Sequence, residues 1–346
     1  ATSLGVPAVD YAIAASAKTA IEQADVLIDA LFGTGFHGAP KEPLAALIAQ
    51  CNQMKKPIVS LDLPSGAQCD SARVEGECFR ASQTVAFHTL KPAHVIYPAA
   101  EYCGEVLVAG VGAPEAAMRS VPSRMQTIDA SFAADSLPRR AANSNKGDFG
   151  RVVALCGSVG MAGAAVLSAR AASCCGAGLV EVCAPRSLYP VLAGHLIEQI
   201  ITPLEETDSG MIAESAIGRL EQSMTRAAVC LAGCGMGVGP DTTAVATWIL
   251  SQDKIPVVLD ADGINCIAQN IHLLSASKAS VVLTPHPGEM ARLLGCTARE
   301  VQQNRVEIAS TFAREYGVTL VLKGAGTLVA SADGNVYINR TGNHGM

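Results

Sequence analysis

Short runs of β-branched and aliphatic residues recur along this 346-residue chain, and nearly every one runs into a turn bearing glycine, proline or a carboxylate. In the first third such runs lie at 26–31, 57–63, 84–88 and 106–109, with a helical stretch at 42–53. Strand-length runs separated by a helical period are the mark of βαβ units and a mostly parallel sheet. The period breaks over about 112–145, where Pro114, Pro122 and Pro138 fall among Ser, Arg and Asn, so a linker with a short helix is expected there. Alternation resumes with strands expected at 151–156, 179–184, 228–232, 257–260, 281–284, 319–322, 327–330 and 336–338. Helices are expected at 162–175, 242–251, 287–294 and 298–316. The helix after Met161 is apolar on nearly every face, which predicts burial on all sides. The last strands follow one another without helices, which predicts an antiparallel edge.

A length of 346 residues divided by ~150 per domain gives two domains. With 49% hydrophobic and 16% charged residues the chain is too apolar to be disordered. A formal net charge of −6 argues against a dedicated nucleic-acid binder. No apolar run reaches the ~18 residues of a membrane span. Twelve cysteines are scattered without a CxxC pair, so they are expected to be small buried thiols of a reducing, cytoplasmic compartment and not zinc ligands. The sequence begins at Ala1 with neither an Arg-rich transit peptide nor a secretory signal.

Chemistry in open α/β sheets gathers at the carboxyl ends of strands. In the first half, Asp29-Ala30-Leu31-Phe32-Gly33-Thr34-Gly35 puts a carboxylate before a turn whose glycines admit a phosphate to the backbone. Leu61-Asp62-Leu63-Pro64-Ser65-Gly66 and Leu90-Lys91-Pro92 end two further strands, and each also reads as an ordinary stabilised turn. In the second half, small residues from Gly157 to Ala165 open a helix at a strand end, where anions bind. The run Gly233-Cys234-Gly235-Met236-Gly237-Val238-Gly239 is glycine-dense without being GxGxxG. Asp260 and Asp262 sit at one strand end, and His286 stands between two prolines at another, three residues before Glu289. Lys323-Gly324-Ala325-Gly326-Thr327 offers a cation, glycine backbone and a hydroxyl, a phosphate-binding set that is not a Walker A loop.

Taken in order, these first-half segments resemble the N-terminal domain of the bifunctional NAD(P)HX repair enzymes, an epimerase acting on hydrated NADH and NADPH. The segments KGDFGRV (146–152), GAGLV (176–180), LDADG (259–263), TPHPGEMARLLG (284–295) and KGAGT (323–327) resemble the same family's C-terminal, ribokinase-like dehydratase. The resemblance runs from about Val26 onward, only loosely over 112–135. It implies an α/β chain of two three-layer domains: a Rossmann-like epimerase domain over 1–117, a linker over 118–145 and a ribokinase-like dehydratase domain over 146–346. It implies a K+ ion on Asp29 and Ser65, and substrate contacts from Gly33, Thr34, Gly35, Phe36, His37, Gly38, Ala39 and Asp62. In the second domain it implies that Ala164, Gly237 and His286 hold the hydrated dinucleotide and that Lys323, Gly324, Ala325, Gly326 and Thr327 hold ADP or ATP, with Mg2+ expected. The partners implied are NAD(P)HX and the adenine nucleotide, with no nucleic acid and no membrane, and with a homo-oligomer left open.

Many relatives read Pro-Ser-Gly-Leu-Asp where this chain has Pro64-Ser65-Gly66-Ala67-Gln68. Relatives also carry an Asn-Asn-Gly-Gly-Asp loop upstream. They continue past the equivalent of 344–346 into a Gly-Gly-Ser-Gly-Asp segment whose aspartate is the expected base. The chain is therefore expected to be a piece cut at both ends, its catalytic aspartate beyond Met346 and its dehydratase turnover absent. Two other readings stand beside this one: a ribokinase-like small-molecule kinase, and a non-catalytic nucleotide-binding or interaction module.

Overall fold

The computed structural model describes residue 8 and residues 15–121 and 123–343. These form two compact units, one of residues up to Ser123 and one spanning Arg124–Thr341.

In the first unit four strands, β1 (Leu27–Asp29), β2 (Ile58–Leu61), β3 (Gln83–Phe87) and β4 (Glu105–Ala109), form a parallel sheet in that order. The helix Leu44–Gln53 places Leu47, Ile48 and Cys51 on one buried stripe, as the spacing i, i+1, i+4 requires. That stripe packs on Ile58 and Phe79, with Ile21, Leu27 and Leu44 around it. Fully burying a side chain such as Ile48 contributes about 1.5–3 kcal/mol.

The second unit is built on ten strands. These are β5 (Met125–Ile128), β6 (Arg151–Leu155), β7 (Leu179–Pro185), β8 (Ile200–Leu204), β9 (Val229–Ala232), β10 (Val257–Leu259), β11 (Val281–Leu283), β12 (Thr319–Leu322), β13 (Thr327–Ala330) and β14 (Val336–Asn339). Their order in the sheet is β5-β14-β13-β12-β11-β10-β9-β6-β7-β8. Only β12–β13 and β13–β14 pair antiparallel, the hairpins anticipated at the end of the chain. From β6 the chain builds outward to β7 and β8, then crosses back to lay β9 on the other side of β6. The boundary between β6 and β9 is thus where strand order reverses, and open α/β sheets open a crevice at such a point.

Three expectations need correction. The stretch expected to be a linker holds the helix Glu115–Ser120, β5 and the helix Ala130–Ser136, and β5 pairs in parallel with β14. The helix Ala162–Cys174 is not buried on all sides: Ala165 and Ala169 face the core, whereas Leu167 is 72% exposed. An alanine-rich helix is apolar all round by composition, but only its small-residue stripe lies close against the sheet. The helix expected over 298–316 is two helices, Ala298–Gln303 and Arg305–Tyr316, broken at Asn304 where φ is −129°.

Covering of the sheet is uneven. In β7 every residue from Val180 to Pro185 is buried, the pattern of a strand covered on both faces. In β9 to β13 burial alternates, and the face carrying Leu231, Val258, Val282, Val321 and Val329 is only half-buried.

Candidate functional site

The two glycine-rich turns that follow β6 and β9 meet at these strand ends. The Gly157 N–H donates to the Cys234 carbonyl at 2.9 Å, and the Ser158 hydroxyl to the Gly235 carbonyl at 2.8 Å. Gly233 has φ +121°, and a Cβ there would stand 2.0 Å from the Asp260 carbonyl oxygen, so only glycine fits. Ala164, in the first turn of the helix Ala162–Cys174, packs against Gly235. The Gly237 N–H is taken by the Asp262 carboxylate at 2.9 Å.

Next to these turns the ends of β10, β11 and β12 bring charge together. Asp260 Oδ1 accepts from Lys323 Nζ at 2.7 Å and from the Thr284 hydroxyl at 2.7 Å, and its Oδ2 lies 3.6 Å from Cys234 Sγ. Burial alone would raise the Asp260 pKa, but hydrogen bonds from Lys323 and Thr284 and the Lys323 charge outweigh it and hold the carboxyl below its ordinary value. Glu289 is buried, with Oε2 at 3.9 Å from Lys323 Nζ and Oε1 at 3.4 Å from His286 Nε2. His286 caps the helix Pro287–Leu294: its Nδ1 accepts from the N–H of Gly288 at 2.9 Å and of Glu289 at 3.3 Å. An Nδ1 that accepts leaves the ring hydrogen on Nε2, which lies on a half-exposed ring 3.4 Å from Glu289 Oε1.

His286, Glu289, Lys323, Asp260 and Cys234 therefore form one connected series that ends at the Gly233–Gly239 turn, beside Ala164. Ala164, Gly237, His286 and the loop Lys323–Thr327 thus sit at neighbouring strand ends, whereas the segments 146–152 and 176–180 do not join this series. The loop Lys323–Thr327 closes with Thr327 Oγ1 donating to the Gly324 carbonyl at 2.9 Å. The N–H groups of Gly324, Ala325 and Gly326 have no acceptor among the described residues. Successive amides without acceptors, beside a lysine, suit an anion. Thr284 and Glu289 were not singled out as site residues, although a hydroxyl and a carboxylate on either side of His286 were the available signal. Arg305, buried beneath this loop, left no such signal.

In the first unit Asp29 closes β1 and is 3% exposed, with no cationic side chain paired to it among the described residues. Its carboxylate accepts from the Ser65 hydroxyl at 2.5 Å, the Ser65 N–H at 2.8 Å, the Ser60 hydroxyl at 2.9 Å and the Leu31 N–H at 3.3 Å. A buried carboxylate lacking a counter-charge, beside a hydroxyl oxygen, fits a hard monovalent cation. No cluster of three or more His, Cys, Asp or Glu side chains exists among the described residues, and Asp260 and Glu289 are both engaged with Lys323. The described residues thus hold no cluster of three such ligands for Mg2+.

The Phe32 N–H donates to Ser65 Oγ at 2.9 Å, and this ties the start of the 33–39 loop to the Asp29 site. Within the loop Phe36 stacks on Phe32 with ring centroids 4.5 Å apart, while Thr34, His37 and Ala39 are exposed. A Cβ at Gly33, Gly35 or Gly38 would meet nothing within 4 Å, so no crowding inside the chain demands glycine there. Asp62 follows β2 with φ +67°. Its Oδ1 accepts from Lys91 Nζ at 2.5 Å and from the Phe87 N–H at 3.0 Å. His94 accepts at Nδ1 from the Lys91 N–H at 2.9 Å, and its Nε2 donates to the Asp62 carbonyl at 2.6 Å. Burial lowers the His94 pKa and keeps the ring neutral, as this donor–acceptor pattern needs. Lys91 lay in a motif quoted from the sequence, but nothing there pointed to His94.

The sequence model of the NAD(P)H-hydrate dehydratase family matches residues 152–346, and that of the YjeF-related protein N-terminus matches residues 1–93. The chain is 40% identical over 330 residues to a bifunctional NAD(P)H-hydrate repair enzyme of Moorella thermoacetica, covering 95% of this chain and 62% of that protein. It is 34% identical to the Escherichia coli enzyme of the same description, covering 94% of this chain and 60% of that one. Among solved structures, an ADP/ATP-dependent NAD(P)H-hydrate dehydratase from Bacillus subtilis, co-crystallised with ATP and Mg2+, superposes with a TM-score of 0.50 at 27% identity, covering 62% of this chain and 72% of that one. A ribokinase-like superfamily protein from Enterococcus faecalis gives a TM-score of 0.55 at 24% identity over 65% of this chain and 75% of that one, a likeness of fold.

Proposed function

Because the chain belongs to the NAD(P)H-hydrate dehydratase family, we propose that it serves in nicotinamide-nucleotide repair. Residues 146–346 belong to the domain that dehydrates the S form of NAD(P)HX with ADP or ATP, and residues 1–117 to the domain that interconverts the R and S forms. The observation that carries this reading is the connected series from the amide-lined Lys323–Thr327 loop through Asp260 and Glu289 to His286.

The nucleotide's phosphates lie on the amides of Gly324, Ala325 and Gly326, with Lys323 beside them and Thr327 closing the loop. The hydrated nicotinamide ring lies toward Ala164 and Gly237, where His286 Nε2–H donates to it. The ring hydroxyl oxygen attacks the terminal phosphoryl group, AMP leaves from ADP (or ADP from ATP) with the electrons of the broken P–O bond, and the hydroxyl proton passes to water. Phosphate then leaves with the electrons of the C–O bond, and a proton lost from the neighbouring ring carbon restores the double bond. Hydroxide is a poor leaving group and phosphate a good one, so the protein's part is mainly to position the reactants and neutralise charge. Asp260, fixed by Thr284, holds Lys323 extended toward the phosphates. Mg2+ arrives, on this reading, with the nucleotide, and no step is assigned to it.

In the first unit the 33–39 loop takes the substrate's phosphates, Asp62 contacts the reacting ring, and Asp29 with Ser65 holds K+. When bound, K+ supplies positive charge next to those phosphates. Lys91 and His94 keep the Asp62 carboxylate in place.

The test is to incubate purified protein with hydrated NADH and ADP, then ATP, and follow NADH absorbance. Recovery of NADH supports the reading and overturns the expectation that this chain lacks turnover. Phosphorylation of another hydroxylated small molecule without NADH recovery replaces it with a ribokinase-like kinase. Nucleotide binding with neither reaction leaves a binding module. Lys323→Ala is expected to weaken ADP binding by about tenfold or more, read by calorimetry, since one charge-assisted contact contributes about 1.5–3 kcal/mol.

A further inference from the structure

Arg305 opens the helix Arg305–Tyr316 and is 2% exposed, yet no carboxylate pairs with it among the described residues. An unpaired buried charge is costly, so something must hold it. Nη1 donates to Gln302 Oε1 at 2.8 Å and to the Lys323 carbonyl at 3.3 Å. Nη2 donates to the carbonyls of Leu322 at 3.1 Å and Gly326 at 3.3 Å. Nε is buried with no partner. Three of the four acceptors are thus carbonyls from one short stretch, the Lys323–Thr327 loop and the residue before it. Gly324 has φ +138°, and a Cβ there would lie 2.9 Å from Nη1, so the loop rests directly on the guanidinium.

The orientation has a consequence on the other side of the loop. A peptide plane carries its C=O and the next N–H in opposite directions. Turning the Lys323 carbonyl down to Arg305 turns the Gly324 N–H up and away from it. That N–H, like those of Ala325 and Gly326, has no acceptor among the described residues. No acidic side chain among the described residues neutralises the positive charge beneath, so its field reaches an anion seated on the loop.

We propose that Arg305 is a positioning residue for the nucleotide: from beneath the loop it holds the Lys323 carbonyl down and so the Gly324 amide up, and its charge adds to the attraction for polyphosphate. This rests on the reading of Lys323–Thr327 as the adenine-nucleotide loop. The helix break at Asn304 is what lets Arg305 enter the core under β12 instead of continuing an exposed helical face.

Gln302→Glu tests the proposal with the fold retained, because Gln302 is exposed and the new carboxylate would pair with the guanidinium and cancel its charge. Affinities of the 346-residue chain for AMP, ADP and ATP are measured by calorimetry without Mg2+, alongside thermal unfolding. The expected result is a loss that grows with ligand charge, on the order of threefold for AMP and on the order of tenfold for ATP, with unfolding unchanged or shifted upward. Arg305→Met is expected to lose more for all three nucleotides and to keep the same ordering. If it does not fold, Gln302→Glu decides alone. Equal losses for the three nucleotides, or none, in folded Gln302→Glu protein would overturn the charge role while leaving the nucleotide reading intact. A wild-type chain that binds none of the three sinks the nucleotide reading itself and the proposal with it.

Discussion

At the scale of single residues, the buried carboxylates of Asp29, Glu181 and Glu289 are each met by donors. Glu181 on β7 is 5% exposed and accepts from Ser223 at 2.6 Å, Thr202 at 2.8 Å and Arg151 at 2.9 Å. Burial alone would raise its pKa, but these hydrogen bonds and the Arg151 charge together hold it below 4.5. A carboxyl depressed in the folded state contributes stability that is complete above its unfolded value and lost as pH falls through the folded one. Glu181→Ala is therefore expected to cost about 2–4 kcal/mol near neutral pH, measured by urea unfolding. The cost should shrink below about pH 4, and a cost that stays constant into acid would refute the linkage. The sequence could not single out Glu181, because its partners come from three other segments.

At the scale of elements, small residues decide how close a helix lies. The helix Ala162–Cys174 turns Ala165 and Ala169 to the core with Val180, Val182 and Leu192, and Leu167 outward. Leu167→Ser is expected to change stability by less than about 0.5 kcal/mol. Ala169→Leu should overpack the contact and cost about 1–3 kcal/mol. Reversed costs in thermal or chemical unfolding would show that the helix lies the other way round. The sequence signalled this helix but not its orientation, since a run of alanines has no amphipathic contrast. Strand β8 escaped notice for a different reason. Pro203 interrupts its period, and proline is tolerated there because β8 lies at the edge of the sheet, where one ladder of hydrogen bonds is not needed. The break at Asn304 was equally hidden, since the flanking residues all suit a helix.

For the molecule as a whole, the distribution of its twelve cysteines is a test of the two cores. All twelve are free thiols, with Cys174 and Cys175 exposed and Cys234 and Cys296 partly so. Burial, first among the causes, pushes the thiols of Cys69, Cys103 and Cys183 up to about 12. An aromatic disulfide reagent should thus label Cys174 and Cys175 rapidly in native protein and the buried thiols only after unfolding. Rapid native labelling of Cys69 or Cys183 by mass spectrometry would contradict the packing of the unit that holds it. No helix among the described residues is long and apolar enough to cross a membrane. What the sequence determined by itself was the α/β alternation and the chemistry of its turns, because strand period, glycine and proline act locally and mark strand ends wherever they occur. What only the tertiary structure decided was partnership. The reversal of strand order between β6 and β9, the pairing of Lys323 with Asp260 and the burial of Arg305 under a loop each join residues distant in the chain, and such contacts form only when the sheet closes.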